Sequence, residues 1–242
     1  MTSSSPGLVA DVVRLSWVDG PGNRFVVFLQ GCTFDCVGCH NPQTIPERSV
    51  LAQTVWPDDL VDEIRSAAPY LSGVTMSGGE ATRQSAFVGE VFARIKADAH
   101  LASLTTFVDS NGDAPREVWD ALVPVMDGAM VDLKALDPRL HVQLTGHGNV
   151  RVLDSILHLA EVGRLHEVRL LLVPGVNDDQ ATLERTAAWL LAVDPNIRVK
   201  VIGFRRHGVR HQGRQWRDAT DDDVDGYGFV LRDAGISRLE LV

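Results

Sequence analysis

The chain has 242 residues, 45% of them hydrophobic and 23% charged, with a formal net charge of -9. That length buries one substantial core and fits a single domain spanning 1–242, while the acidic balance excludes a general nucleic-acid binder, which needs a concentrated basic face. No segment approaches the ~20 apolar residues of a membrane span, and the polar run Met1 to Gly7 lacks the apolar stretch of a secretory signal, so a monomeric cytoplasmic protein without a membrane anchor is expected.

Short β-rich apolar runs alternate with amphipathic segments along the chain. Arg24 to Gln30 reads as a buried strand, Asp58 to Ala68 as a helix, Gly73 to Met76 as a strand and Ser85 to Ala97 as a helix. Thr105 to Val108 and Ala129 to Leu133 read as strands, followed by a helix over Arg151 to Val162, a strand over Val168 to Val173 and a helix over Gln180 to Val193. Val199 to Phe204 and Asp221 to Ala234 give the last strand and helix, so that residues 196–242 complete the fold. Such alternation predicts an α/β protein with a parallel sheet, a single-domain open or partial (β/α)6 TIM-like barrel, whose chemistry sits in loops after the strands.

All three cysteines fall in one such loop, Gly31-Cys32-Thr33-Phe34-Asp35-Cys36-Val37-Gly38-Cys39-His40-Asn41-Pro42, with the spacing C-x3-C-x2-C. In a reducing compartment this grouping points to metal or redox chemistry rather than to disulfides. Three thiolates on a short loop hold three irons of a cubane and leave the fourth iron open. An open iron chelates the amino and carboxylate groups of a methionine moiety and so brings a sulfonium beside an electron source. A Cys3His zinc site with His40 and a loop of unliganded thiols are the competing readings, although zinc ligand pairs normally keep two or more residues between them and Cys39 and His40 are adjacent.

Further candidates sit at strand ends. Ser77-Gly78-Gly79-Glu80 follows a strand, and its glycines would let backbone carbonyls approach a ligand; a plain Gly-rich turn is the alternative. Asp132 and Lys134 share a strand face, and Lys134 is one of only three lysines, with Lys96 and Lys200. An ion pair that merely closes the fold is the alternative there. Arg169 lies among leucines and valines, with solvent exposure as its bland alternative, and Asp19 lies in an Asp-Gly-Pro-Gly turn.

These residues, with their flanks, resemble the radical S-adenosylmethionine (SAM) superfamily, in particular its glycyl-radical-enzyme activase branch of the pyruvate formate-lyase type. The resemblance runs through Val18-Asp19-Gly20-Pro21-Gly22-Asn23-Arg24-Phe25, Phe28-Leu29-Gln30-Gly31-Cys32, Cys39-His40-Asn41-Pro42 and Ser77-Gly78-Gly79-Glu80. It continues through Asp109-Ser110-Asn111-Gly112, Val131-Asp132-Leu133-Lys134 and Val173-Pro174-Gly175.

The resemblance implies one [4Fe-4S] cluster on Cys32, Cys36 and Cys39, and SAM bound by Gly38, Ser77, Gly78, Gly79, Glu80, Asp109, Asp132, Lys134 and Arg169. It also implies a sodium or potassium ion on Asp109, Ser110, Asp132 and the carbonyl of Met130, with Asp19, Arg205 and His207 toward the substrate. Reduced flavodoxin or ferredoxin would supply an electron, SAM would be cleaved to methionine and a 5′-deoxyadenosyl radical, and the radical would take a Cα hydrogen from a glycine of a glycyl radical enzyme. The same build acting on a small molecule or peptide, and a non-catalytic iron-sulfur electron carrier, are the alternatives.

Two positions depart from the pattern: Gly38 stands where a bulky residue is usual, and the branch's histidine aligns nearer Arg205 than His207. The stretch Arg205 to Arg217, with five arginines and two histidines, reads either as a grip for an acidic partner or as a solvated loop.

Overall fold

The computed structural model describes residues 4–242; residues 1–3 of the polar N-terminal run lie outside the described residues. The chain forms two compact units, one of Met1–Thr33, Gln43–Ser110 and Ala114–Met130, the other of Phe34–Pro42, Asn111–Asp113 and Val131–Val242.

The first unit contains β1 (Gly7–Ser16), β2 (Arg24–Leu29), β3 (Gln53–Val55), α1 (Pro57–Ala67), β4 (Gly73–Gly78), α2 (Ser85–Ala97), β5 (Thr105–Ser110), α3 (Arg116–Leu122) and the start of β6 (Gly128–Asp132). Its strands lie in the order β3-β1-β2-β4-β5-β6. β2, β4 and β5 are parallel, with Arg24 opposite Gly73 and Gly73 opposite Thr105, while β1 runs antiparallel to β2 and β3. β2, between antiparallel β1 and parallel β4, is apolar on both faces: Phe25, Val26, Val27 and Leu29 are all fully buried.

Arg24 opens β2 and is itself buried, a charge that is tolerable only because its donors are spent. They reach the hydroxyl of Thr75 at 3.0 Å and that of Thr105 at 2.5 Å, and the carbonyls of Val74 at 2.6 Å and Thr105 at 3.1 Å; the guanidinium also lies 4.6 Å from the centre of the Phe107 ring. Burial pushes its pKa down to about 10, against the pull of Asp127. One side chain thereby ties the entry of β2 to β4 and β5.

The second unit contains the end of β6, α4 (Pro138–Thr145), α5 (Val150–Glu161), β7 (Leu165–Leu172), α6 (Gln180–Val193), β8 (Arg198–Gly203), α7 (Asp221–Asp233) and β9 (Arg238–Leu241). β7, β8 and β9 are parallel neighbours. Thr220 and Asp223 form a reciprocal capping box that starts α7, and Asp137 caps α4 by accepting from the amides of Arg139 and Leu140.

The α/β class and the mostly parallel strands match the expectation, and the six expected strands and five expected helices are present, the helices Ser85–Ala97 and Gln180–Val193 with the expected bounds and the others with shifted ends. β1, β3, β9, α3 and α4 were not expected. β1 escapes a period-2 reading because its register slips between Val9 and Asp11, which breaks the alternation. α4 did carry a signal, Asp137-Pro138 at its start and Gly146 in the left-handed conformation at its end. Among the described residues no helix is long and apolar enough to cross a membrane.

Candidate metal centre and cofactor site

The loop Phe34–Pro42 is held in the second unit from two sides. On one side the amides of Asp35 and Val37 donate to the carbonyls of Thr145 and Leu144 at the end of α4, both at 2.9 Å. Phe34 is buried there, stacked on His147 at 5.4 Å and edge-on to His141 at 5.5 Å.

On the other side lies the segment that follows β8, residues 204–216. Arg210 donates to the Asp35 carboxylate at 2.6 Å and to the carbonyls of Asp35 and Cys36 at 2.9 and 2.8 Å. His40 donates from Nε2 to the carbonyl of Arg205 at 2.8 Å, since a carbonyl can only accept. Gly213 and Gly208 permit close approach: a Cβ on Gly213 would stand 2.7 Å from the carbonyl oxygen of Val37, and one on Gly208, at φ +81°, 2.9 Å from that of His40. Gly38 is covered by Phe204 and Trp216, which a Cβ there would meet at 3.2 and 3.3 Å. Phe204 and Trp216 belong in turn to a small apolar cluster with Val173 and Val209.

Cys36 and Cys39, held this way, carry thiols chemically suited to iron. Cys32, Cys36 and Cys39 are half-buried and no disulfide joins them. Burial pushes the Cys39 thiol up, opposed by the Asn41 backbone and by the charges of Lys134 and Arg210. Lys134 donates to Asp132 at 2.7 Å; burial disfavours its charge, but Asp132 and the thiols of Cys36 and Cys39 outweigh that and push its pKa up. A fixed ammonium thus lies within electrostatic reach of two thiols that metal binding would deprotonate.

Soft thiolates suit an iron-sulfur cluster or zinc, and His40 has turned Nε2 to Arg205. Cys32 lies in the first unit, where its amide donates to Ile45 O at 3.0 Å and Gly31 donates to Thr44 O at 2.8 Å. Among the described residues no three His, Cys, Asp or Glu side chains gather as a single ion requires.

The turn after β4 is built differently. Gly78, at φ +108°, and Gly79 allow the close approach of β2 and of Gly31. A Cβ would stand 2.1 Å from Leu29 N at the first glycine and 2.2 Å from Gly31 O at the second. Ser77 donates to Asp109 at 2.8 Å. Glu80 is buried, and its Oε1 accepts from the amide and hydroxyl of Thr82 at 2.9 and 2.6 Å and from the Ser110 hydroxyl at 2.8 Å. Ser110 therefore directs its proton to Glu80, and Met130 is buried in β6.

Asp19 is half-buried; its carboxylate accepts from Ser16 at 2.5 Å and its carbonyl from Thr75 at 2.8 Å. Arg169 is only 6% exposed, not in solvent, and donates to Glu167, itself 4% exposed, at 2.8 Å. Arg205 and His207 are exposed, and Arg205 donates to Ala219 O at 2.8 Å. The arginines of 205–217 are largely engaged within the chain: Arg206 with Asp218, Arg217 with Asp223, Arg210 with Asp35. Glu167 was missed although Glu-x-Arg on one strand face is a legible pair; Arg210, 175 positions from Asp35, leaves no such trace.

The sequence pattern of the radical SAM superfamily matches residues 26–187, a stretch that includes all three cysteines, Ser77 to Glu80, Asp109, Asp132, Lys134 and Arg169. The chain belongs to the radical SAM superfamily. Within the radical SAM superfamily it is similar to the pyruvate formate-lyase-activating enzyme of Staphylococcus epidermidis, at 32% identity over 211 residues, 84% of this chain and 83% of that one. The Staphylococcus aureus protein of the same name is also 32% identical over the same shares. Among solved structures, a radical SAM methyltransferase from Sphaerobacter thermophilus superposes with a TM-score of 0.67 at 20% identity, covering 88% of this chain and 64% of that one.

A domain of pyruvate-formate lyase-activating enzyme from Bacteroides vulgatus gives a TM-score of 0.56 at 20% identity, covering 69% of this chain and 97% of the domain. At those identities the two structures establish the fold. The sequence relatives place the chain in the activase branch, as a radical SAM enzyme of activase type, and radical SAM membership implies a [4Fe-4S] cluster and SAM.

Proposed function

We propose that this radical SAM enzyme activates a glycyl radical enzyme, with residues 1–242 acting as one catalytic core and reduced flavodoxin or ferredoxin as electron donor. The observation that carries the reading is 32% identity sustained over 84% of the chain to a protein named for activating pyruvate formate-lyase. Cys32, Cys36 and Cys39 would hold the cluster, which when bound supplies the electron that splits SAM into methionine and a 5′-deoxyadenosyl radical, the species that takes hydrogen from a glycine.

The chain's own part is to bind, orient and exclude water. Lys134, charged and tied to Asp132, offsets thiolate charge and offers a donor to SAM. Ser77 and Asp109, already hydrogen-bonded to each other, present a polar pair for its ammonium, with Gly78, Gly79 and Glu80 fixing the turn beneath them. Arg169 would serve SAM from its pairing with Glu167, and Gly38 would lie beside the adenine. Asp19, Arg205 and His207 would face the protein substrate. A sodium or potassium ion on Asp109, Ser110, Asp132 and the Met130 carbonyl belongs to the same reading, and swapping the alkali ion in the SAM-binding assay tests it.

The deciding experiment mixes anaerobically reconstituted enzyme, SAM and reductant with a glycyl radical protein and looks by electron paramagnetic resonance for a glycine-centred doublet. A doublet that depends on SAM and on Cys36 is expected. Abundant 5′-deoxyadenosine without a doublet, across pyruvate formate-lyase and its relatives, would overturn the activase assignment.

A further inference from the structure

Residues 204–216 touch the cysteine loop at nearly every position from 35 to 40: Arg210 at Asp35 and Cys36, Gly213 at Val37, Phe204 and Trp216 at Gly38, Arg205 and Gly208 at His40. Most of these contacts are steric or neutral. Arg210 is the exception, a cation whose planar fork spends one nitrogen on the Asp35 carboxylate and the other on two successive carbonyls, one of them belonging to Cys36 itself. Its side chain is 29% exposed and that of Asp35 65%, so water screens the carboxylate more than the guanidinium.

We propose that Arg210 is a positioning residue for the iron-sulfur centre, fixing the backbone of the Cys36 ligand and supplying a positive charge that favours the reduced cluster. The inference rests on the cluster's being held by Cys36 and Cys39. Reduction adds a negative charge to the centre, and a nearby cation stabilises that state more than the oxidised one. Asp35 orients the guanidinium and cancels part of its field. Lysine in place of Arg210 keeps the charge but cannot bridge a carboxylate and two carbonyls at once, so the two roles are separable.

The test uses full-length wild type, R210Q, R210K and D35N, each reconstituted anaerobically with iron and sulfide. Iron release to a ferrous chelator reads the loop, and a reductive titration followed by electron paramagnetic resonance reads the charge. R210Q should release iron about tenfold faster, as expected for losing charge-assisted hydrogen bonds to the loop, and its cluster should be harder to reduce. R210K should release iron faster yet keep a midpoint near wild type, and D35N should be easier to reduce. Wild-type release from R210Q, or an unshifted midpoint, overturns the proposal. Should R210Q not fold, R210K and D35N decide it by the same two readings. Failure of the underlying reading looks different: wild type itself then holds no four-iron cluster, or one whose spectrum ignores SAM.

Discussion

The turn after β4 and the loop Phe34–Pro42 carry the two most conspicuous motifs in the sequence, and their supports come from different distances. The turn is fastened by backbone immediately beside it in the sheet, Leu29 and Gly31 against Gly78 and Gly79, with Glu80 bonded to Thr82 and Ser110. The loop is fastened by side chains and carbonyls from α4 and from residues 204–216, more than a hundred positions away. Altering the turn should therefore attack the fold whether or not iron is present, whereas altering the loop should attack the metal centre and spare the apoprotein.

The largest effect expected is at the cysteines proposed to hold the cluster. Cys36→Ala should abolish 5′-deoxyadenosine formation while apoprotein urea unfolding stays within about 0.5 kcal/mol of wild type, the range of substitutions that leave packing undisturbed. A matching loss of apoprotein stability would erase the distinction. Gly79→Ala should do the reverse, because its Cβ would stand 2.2 Å from Gly31 O, with backbone on both sides unable to yield. A cost of about 3 kcal/mol or more is expected in urea unfolding of the apoprotein, the upper range for overpacking a rigid site. Glu80→Ala leaves Ser110 and Thr82 without their buried acceptor and should cost about 2 kcal/mol in the same measurement.

The smallest effect concerns pH and sharpens the loop side of the comparison. His141 is fully buried against Phe34, and burial holds its pKa below the ordinary 6.5, opposed by the His147 carbonyl. As pH falls through 6.5 the unfolded chain takes up a proton that native His141 refuses. Stability contributed by the neutral ring is thus full above that value and falls below it, by up to about 1.4 kcal/mol per pH unit, until the native pKa is reached. Urea midpoints measured across this range should show the slope in wild type and lose it in His141→Gln.

What the sequence made legible follows the same division. Buried strands, amphipathic helices and the Gly-Gly turn are local patterns, and Arg24 to Gln30 or Gln180 to Val193 can be read without knowing what packs on them. The cysteine spacing narrows the chemistry to a metal or redox role from the sequence alone, since residues grouped in one short stretch need no distant partner to be noticed. Glu80 is a SAM residue by resemblance alone, and the bonds its Oε1 accepts from Thr82 and Ser110 could not be foreseen, because hydrogen bonding of a buried acid is decided by neighbours that a motif does not contain. Arg210 and Trp216 lie in the charged stretch that reads either as a grip for an acidic partner or as a solvated loop; their contacts come from β8 delivering that segment to the loop.

Gly38 has a consequence for how this chain can change. The volume above it is already owned by Phe204 and Trp216, so a bulky residue at 38 has no place unless one of those rings shrinks in the same step. Positions 38, 204 and 216 therefore share one filled volume. A larger side chain at 38 meets those rings, and removing a ring from 204 or 216 opens the space that it would need.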